Sequence, residues 1–266
     1  MTARESSPAR LLKTLLPLIA LAVGVAIWEA VVRLNNLPAY VLPAPSVVFS
    51  TLVQDWPILF GSLLTTLSTT VQGFIAAAIG GIALAVLFSR SKWLEYALLP
   101  YAIILQVTPV IAIAPLLLIY LPQHVAVVVC AWIVAFFPVL SNTTLGLNSV
   151  DRNLLGLFEL YGASRAQTLR YLKLPSALPH ILGGMRIAGG LSLIGAVVAE
   201  IAAGSAGAGS GLAYRIAEAG YRLNIPRMFA ALLLLSIAGI VIYLGLSLAS
   251  YLVLRRWHES ALGKEN

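Results

Sequence analysis

Residues 161–179 read YGASRAQTLRYLKLPSALP. The stretch holds Arg165, Arg170 and Lys173, one glycine, and two prolines four residues apart. It interrupts a chain of 266 residues that is 60% hydrophobic and only 10% charged, with a mean hydropathy of +0.93. Soluble domains run at roughly 45–50% apolar with about a quarter of residues charged. A water-soluble fold cannot hide this much apolar surface, so the chain's main solvent is lipid. The basic stretch is then a loop between membrane spans.

Working outward from it, six segments approach the roughly 20 apolar residues that a spanning helix needs. They lie at 12–34, 62–88, 94–120, 125–147, 178–203 and 228–254. Pro109 and Pro115 fall in the third, which predicts a kink or break there. Arg4, Arg10 and Lys13 before the first span would also suit a cleaved signal peptide. That apolar run is longer than a signal core and continues into Trp28, Glu29 and Arg33 without a small-residue cleavage site, so it is read as an anchor. The expectation is an all-α integral membrane protein of one domain, 1–266. Its non-spanning parts are an N-terminal tail 1–11, a loop 150–177, an outer loop 204–227 and a C-terminal tail 255–266.

Charge orients the spans. If the N-terminus is cytoplasmic, 13 of the 17 Lys and Arg fall inside, leaving Arg33, Arg215, Arg222 and Arg227 outside. Cytoplasmic loops carry such an excess, so both termini are expected in the cytoplasm and the 150–177 loop with them. The same rule accounts for the net charge of +7 and pI near 9.8 without nucleic acid. Cys130 is the chain's one cysteine, and His124, His180 and His258 have no metal-ligand spacing.

The loop reads as two short helices with a corner. Leu154, Leu157, Phe158 and Tyr161 recur at i, i+3, i+4 and i+7, one apolar stripe. Gly162 can take the left-handed conformation that ends a helix. Ser164 stands three residues before Gln167, the spacing of a capping box. Leu169 and Leu172 give the second helix an apolar side, and Leu174-Pro175 is expected to stop it. Such a knob suits insertion into a groove on another protein. It equally suits a hairpin lying on anionic headgroups. The residues alone leave both open.

The stretch resembles the EAA loop of ABC-importer membrane subunits: Glu-Ala-Ala, three residues, Gly, nine residues, Ile, one residue, Leu-Pro. Gly162, Leu172 and Leu174-Pro175 keep that register. More of the chain, including LPAYVLPAPSVV at 37–48 and AVVAEIAAGSAGAGSGLAYRI at 196–216, is similar to the nitrate/sulfonate/taurine-type permeases. The Glu-Ala-Ala triplet itself is replaced by Gly156-Leu157-Phe158, with Glu159 next to it. LPQHV stands where a Phe-Gly pair is usual after span three.

The resemblance implies a type I ABC importer permease in a bacterial inner membrane. It would pair with a second copy, two ATPase subunits and an extracytoplasmic binding protein. It would pass a small anionic or zwitterionic solute, or a vitamin precursor. ATPase coupling would fall to Leu157, Phe158, Glu159, Gly162, Ala163, Ser164, Arg165, Arg170, Leu172, Leu174 and Pro175. ATP and Mg would sit on the ATPase, since the chain has no G-x-x-x-x-G-K-[ST] loop. No catalytic constellation is evident. Polar residues at membrane depth are the candidates for the path: Gln106, Thr108, Pro109, Asn142, Thr143 and Glu200. Glu200 also has an interfacial reading and a reading as partner of Arg215. Small-xxx-small pairs at Ala76/Gly80 and Ala77/Gly81 suit close helix packing. The competing class is an ion-coupled secondary transporter, which would call for inverted repeats that the sequence does not display.

Overall fold

The computed structural model describes residues 7–204 and 209–255, with the side chains of 7–14 left aside. Most of the two expected tails, with Arg4, Arg256 and Lys264, and positions 205–208 of the outer loop lie outside the described residues. The described residues form helices and no strands. In chain order these are α1 (Ser7–Leu34), α2 (Pro45–Gln54), α3 (Trp56–Arg90), α4 (Lys92–Val107), α5 (Val110–Tyr120), α6 (Gln123–Asn148), α7 (Arg152–Leu160) and α8 (Arg165–Thr168). A π turn (Leu169–Lys173), α9 (Leu174–Ala203), α10 (Leu212–Tyr221) and α11 (Ile225–Leu254) follow.

Among the described residues five helical stretches are long and apolar enough to cross a membrane, and α4 with α5, bent by 99° at their break, brings the number to six when the pair is counted as one span. The break falls at Thr108-Pro109, as the sequence predicts. Proline disfavours helical backbone in the residue before it. Thr108 accordingly sits at φ −72°, ψ 124°, and its hydroxyl donates to the Ile104 carbonyl at 2.5 Å. Pro115, by contrast, is held inside α5.

Helix α6 lies at the centre, between α3 and α9. Two glycines set how closely the three approach. A Cβ at Gly73 of α3 would stand 2.5 Å from the Ala131 Cβ, and one at Gly195 of α9 would stand 2.7 Å from the Cys130 carbonyl oxygen. Both faces of one turn of α6 are therefore pressed by backbone. Ala77 and Gly81 extend the α3 contact onto Val139, so that small-residue pair does pack helices. Without lipid-versus-water asymmetry to drive association, such close approach is what holds spanning helices together.

The bundle has two unlike ends. One gathers α2, α10 and the starts of α3 and α11. The other gathers the end of α3, α7, α8 and the start of α9. Helix α1 stands largely outside the bundle, with only 6% of its most apolar window buried. It is tied by a Trp28–Phe229 ring contact to α11 and by Glu29 to α2.

One expectation about the loop is corrected. Leu174-Pro175 does not stop the second helix, which runs on without interruption from Arg165 to Ala203. Pro175 would lose an i→i−4 bond and crowd the carbonyl four residues back. The π turn absorbs this by adding a residue: the Leu174 N–H reaches back five residues to the Leu169 carbonyl.

Candidate functional site

The corner between α7 and α8 is built by local bonds. The Asp151 carboxylate accepts from the Asn153 N–H at 2.8 Å and starts α7. At its end, Ala163 N–H donates to the Phe158 carbonyl and Gly162 N–H to that of Glu159, each at 2.9 Å. This is the paired Schellman pattern, which needs a left-handed residue. Gly162 supplies it at φ +68°. Both halves of the expected capping box then form: Gln167 N–H to Ser164 Oγ at 3.3 Å, and Ser164 N–H to Gln167 Oε1 at 2.7 Å.

Burial divides the corner's side chains into two groups. Leu169 and Leu172 are buried and anchor α8 and the π turn to the bundle, and Leu174 packs on the same cluster. The α7 stripe does the reverse. Leu154, Leu157 and Tyr161 are exposed, Tyr161 to 84%, and Phe158 is half-buried. Glu159, Arg165 and Arg170 are exposed, with the Arg170 guanidinium over the Tyr171 ring at 5.7 Å. The apolar stripe thus faces away from the chain's own core on a nine-residue helix of about two and a half turns.

The path candidates do not converge on one place. Gln106 and Pro109 are exposed at the α4–α5 break, and Thr108 is spent on Ile104. Asn142 donates to the Pro138 carbonyl at 2.8 Å, where α6 meets Gly184 of α9. Thr143 is fully buried beside it, its hydroxyl without a partner among the described residues.

Glu200 is neither interfacial nor paired with Arg215. It is 3% exposed, and its Oε2 accepts from Thr66 Oγ1 at 3.0 Å and from Ala213 N–H at 3.2 Å. Leu212 N–H donates to the same Thr66 hydroxyl at 2.8 Å. Gly211, the N-cap of α10, has no side chain to cap with, and a Cβ there would collide with the Glu200 carboxylate. Glu200 and Thr66 therefore cap α10 from outside, taking up N–H groups that its first turn leaves without helical partners. Arg215 turns instead to Ser62 and Glu218, at 3.1 and 2.9 Å.

Two features escaped the sequence reading. Nothing in the sequence sets Thr66 apart from Ser62, Thr65, Ser68, Thr69 and Thr70 around it. Arg186 lies within α9, half-buried, its Nε buried without a partner among the described residues. A lone arginine inside the 178–203 run is the signal that marked it.

Comparison with known proteins agrees with this architecture. Residues 73–259 match the family described as binding-protein-dependent transport system inner membrane component. The chain is 34% identical over 245 residues to the riboflavin transport system permease protein of Chloroflexus aurantiacus, covering 91% of this chain and 90% of that one. It is 34% identical over 217 residues to the formylaminopyrimidine transport permease protein of Halalkalibacterium halodurans, covering 81% and 85%. The nitrate import permease protein of Synechocystis is 28% identical over 245 residues, covering 86% of each. Among solved structures, a chain from an amino acid ABC transporter superposes with a TM-score of 0.62 at 21% identity, covering 76% of this chain and 97% of that one. That likeness speaks for the fold alone. With an all-helical bundle, a Gly162 corner in EAA register and a family match across most of its length, the chain belongs to the binding-protein-dependent inner membrane components, the permease subunits of ABC importers.

Proposed function

We propose that this permease works as one of two copies in a bacterial inner membrane, with two ATPase subunits docked on the α7–α8 end and a binding protein on the other. ATP and Mg belong to the ATPase subunits, and both termini lie on the ATPase side. The observation that carries the reading is the pairing of an exposed apolar stripe with an unbroken helix. Leu154, Leu157 and Tyr161 offer the stripe, and the helix that follows Gly162 continues into the fifth span. A groove that closes on α7 would push a rigid rod rather than a loose loop.

In this scheme Leu157, Phe158 and Tyr161 fill the groove, Arg170 meets its acidic rim, and Gly162, Ala163 and Ser164 hold the angle. Leu172, Leu174 and Pro175 pass the motion into α9. Asn142, Thr143 and Glu200, with Gln106, Thr108 and Pro109, belong to the helices that rearrange around the path. Arg186 joins them as a positive group available to an anionic or zwitterionic solute. The vitamin-precursor side of the cargo expectation gains weight from the relatives named for riboflavin and formylaminopyrimidine.

Co-purification of the full chain with its ATPase tests the proposal. Leu157→Asp should lower ATPase recovery at least tenfold while the permease still inserts. Mass measurement of the unsubstituted complex should give two of each subunit. A stable, uptake-competent permease without ATPase would overturn the proposal.

A further inference from the structure

Beneath the α7–α8 corner is a cleft of about 350 Å³ that takes in Glu159, Ala163 and Arg165 of the expected coupling residues but none of the exposed α7 stripe. Arg90 comes to it from the last residue of α3, Arg165 from the first residue of α8, and Lys173 from the last residue of the π turn. Glu159 is the one carboxylate on its wall. The two hydroxyls there are already spent, Ser89 on the Val86 carbonyl and Thr168 on that of Ser164. The three cations have no ion pair or hydrogen bond among the described residues. The cleft is a net-positive cavity whose unspent donors are all cationic.

Depth narrows the class of ligand. Arg90 directly follows the apolar run of α3, and Lys173 directly precedes α9. Charges at the ends of spanning helices sit at the headgroup level, because hydrocarbon rejects them and the interface does not. A phosphate group is the abundant anion at that depth. Arginine binds phosphate in a bidentate manner, and lysine does so as a point charge. Basic pockets between spanning helices hold anionic headgroups by the same chemistry.

We infer that the Arg90–Arg165–Lys173 cleft binds a phosphate, carried by the headgroup of an anionic phospholipid. A headgroup seated there bridges the end of α3 to the corner, so the corner is fastened to the membrane surface on one side while α7 is left open on the other.

The permease–ATPase complex, stripped of lipid and examined by native mass spectrometry, supplies the test. Phosphatidylglycerol should be retained by the unsubstituted complex, and phosphatidylcholine should not. The double variant Arg165→Gln/Lys173→Gln should retain roughly thirtyfold less phosphatidylglycerol, given about 1 kcal/mol for each of the two basic residues near an anionic surface. The double variant Arg152→Gln/Arg255→Gln, which removes the same charge outside the cleft, should retain it normally. Displacement by millimolar inorganic phosphate supports recognition of the phosphate itself, and resistance to it supports recognition of the whole lipid. Equal losses in the two double variants, or loss of the ATPase with lipid retention unchanged, would overturn the inference. If Arg165→Gln/Lys173→Gln does not assemble, Arg90→Gln carries the same comparison from the opposite wall.

Discussion

The two ends of the bundle treat charge in opposite ways. At the α2–α10 end every described arginine has a carboxylate partner: Arg33 with Glu29, Arg215 and Arg222 with Glu218, and Arg227 with Asp55 through two bonds of 2.6 and 3.0 Å. The short helices there are capped from outside as well. Ala44 and Gly211, the N-caps of α2 and α10, provide no side-chain bond. Glu29 receives the Ser46 N–H at 3.0 Å, and Glu200 receives that of Ala213. At the α7–α8 end Lys92 pairs with Glu95, while Arg90, Arg152, Arg165, Arg170, Lys173 and Arg255 have no ion pair among the described residues. One end satisfies itself, and the other waits for anions from elsewhere. Substitutions at the first end should therefore be felt as stability, and those at the second as coupling.

The sharpest contrast comes from Gly162→Val. A β-branched residue at φ +68° costs on the order of 1–3 kcal/mol of local strain. Expression and insertion should persist, while uptake falls more than tenfold and ATPase activity runs free of substrate. Normal uptake would mean that the corner does not transmit motion.

Glu200→Ala should behave in the reverse sense. It strands the buried Ala213 N–H and the Thr66 hydroxyl, at about 2–3 kcal/mol for unsatisfied buried groups. A lowered thermal midpoint in detergent is expected, with Glu200→Gln recovering much of it because the amide still offers an acceptor oxygen. An unchanged midpoint for the alanine variant would remove the carboxylate as the cap of α10.

Asp55→Asn tests the bidentate tie between the start of α3 and the start of α11. The pair is partly exposed, so the expected loss is about 1 kcal/mol, read as a small fall in midpoint with uptake retained. Arg222→Gln should have the smallest effect. Its guanidinium is 70% exposed, and rim pairs of this kind contribute at most about 0.5 kcal/mol. A larger loss from Arg222 than from Asp55 would break the picture of a graded, self-satisfied end.

The comparison also explains which parts were readable in the sequence. The spans were, because lipid imposes a length and composition on every one of them; even the break at Thr108-Pro109 follows from the proline. The corner was readable because its chemistry is local: Gly162, Ser164 and Gln167 bond within a few residues of one another. Glu200 was not, because its partners Thr66 and Ala213 come from α3 and α10, and no spacing along the chain brings them together. Arg186 was not singled out because a count of charges by side ignores how far along a helix a residue stands. The proline at 175 misled for another reason: a helix can widen around it instead of ending.

That widening sets a phase. An α-helix turns about 100° per residue, so the one additional residue taken up at Leu169–Lys173 swings everything before it around the axis of the fifth span by about that angle. Deleting a single residue from the turn would leave the rod nearly as long and as straight, but α7 would face a different compass bearing. In the proposed dimer both knobs would then miss the proposed ATPase grooves together, like a gear remounted one tooth off on its shaft.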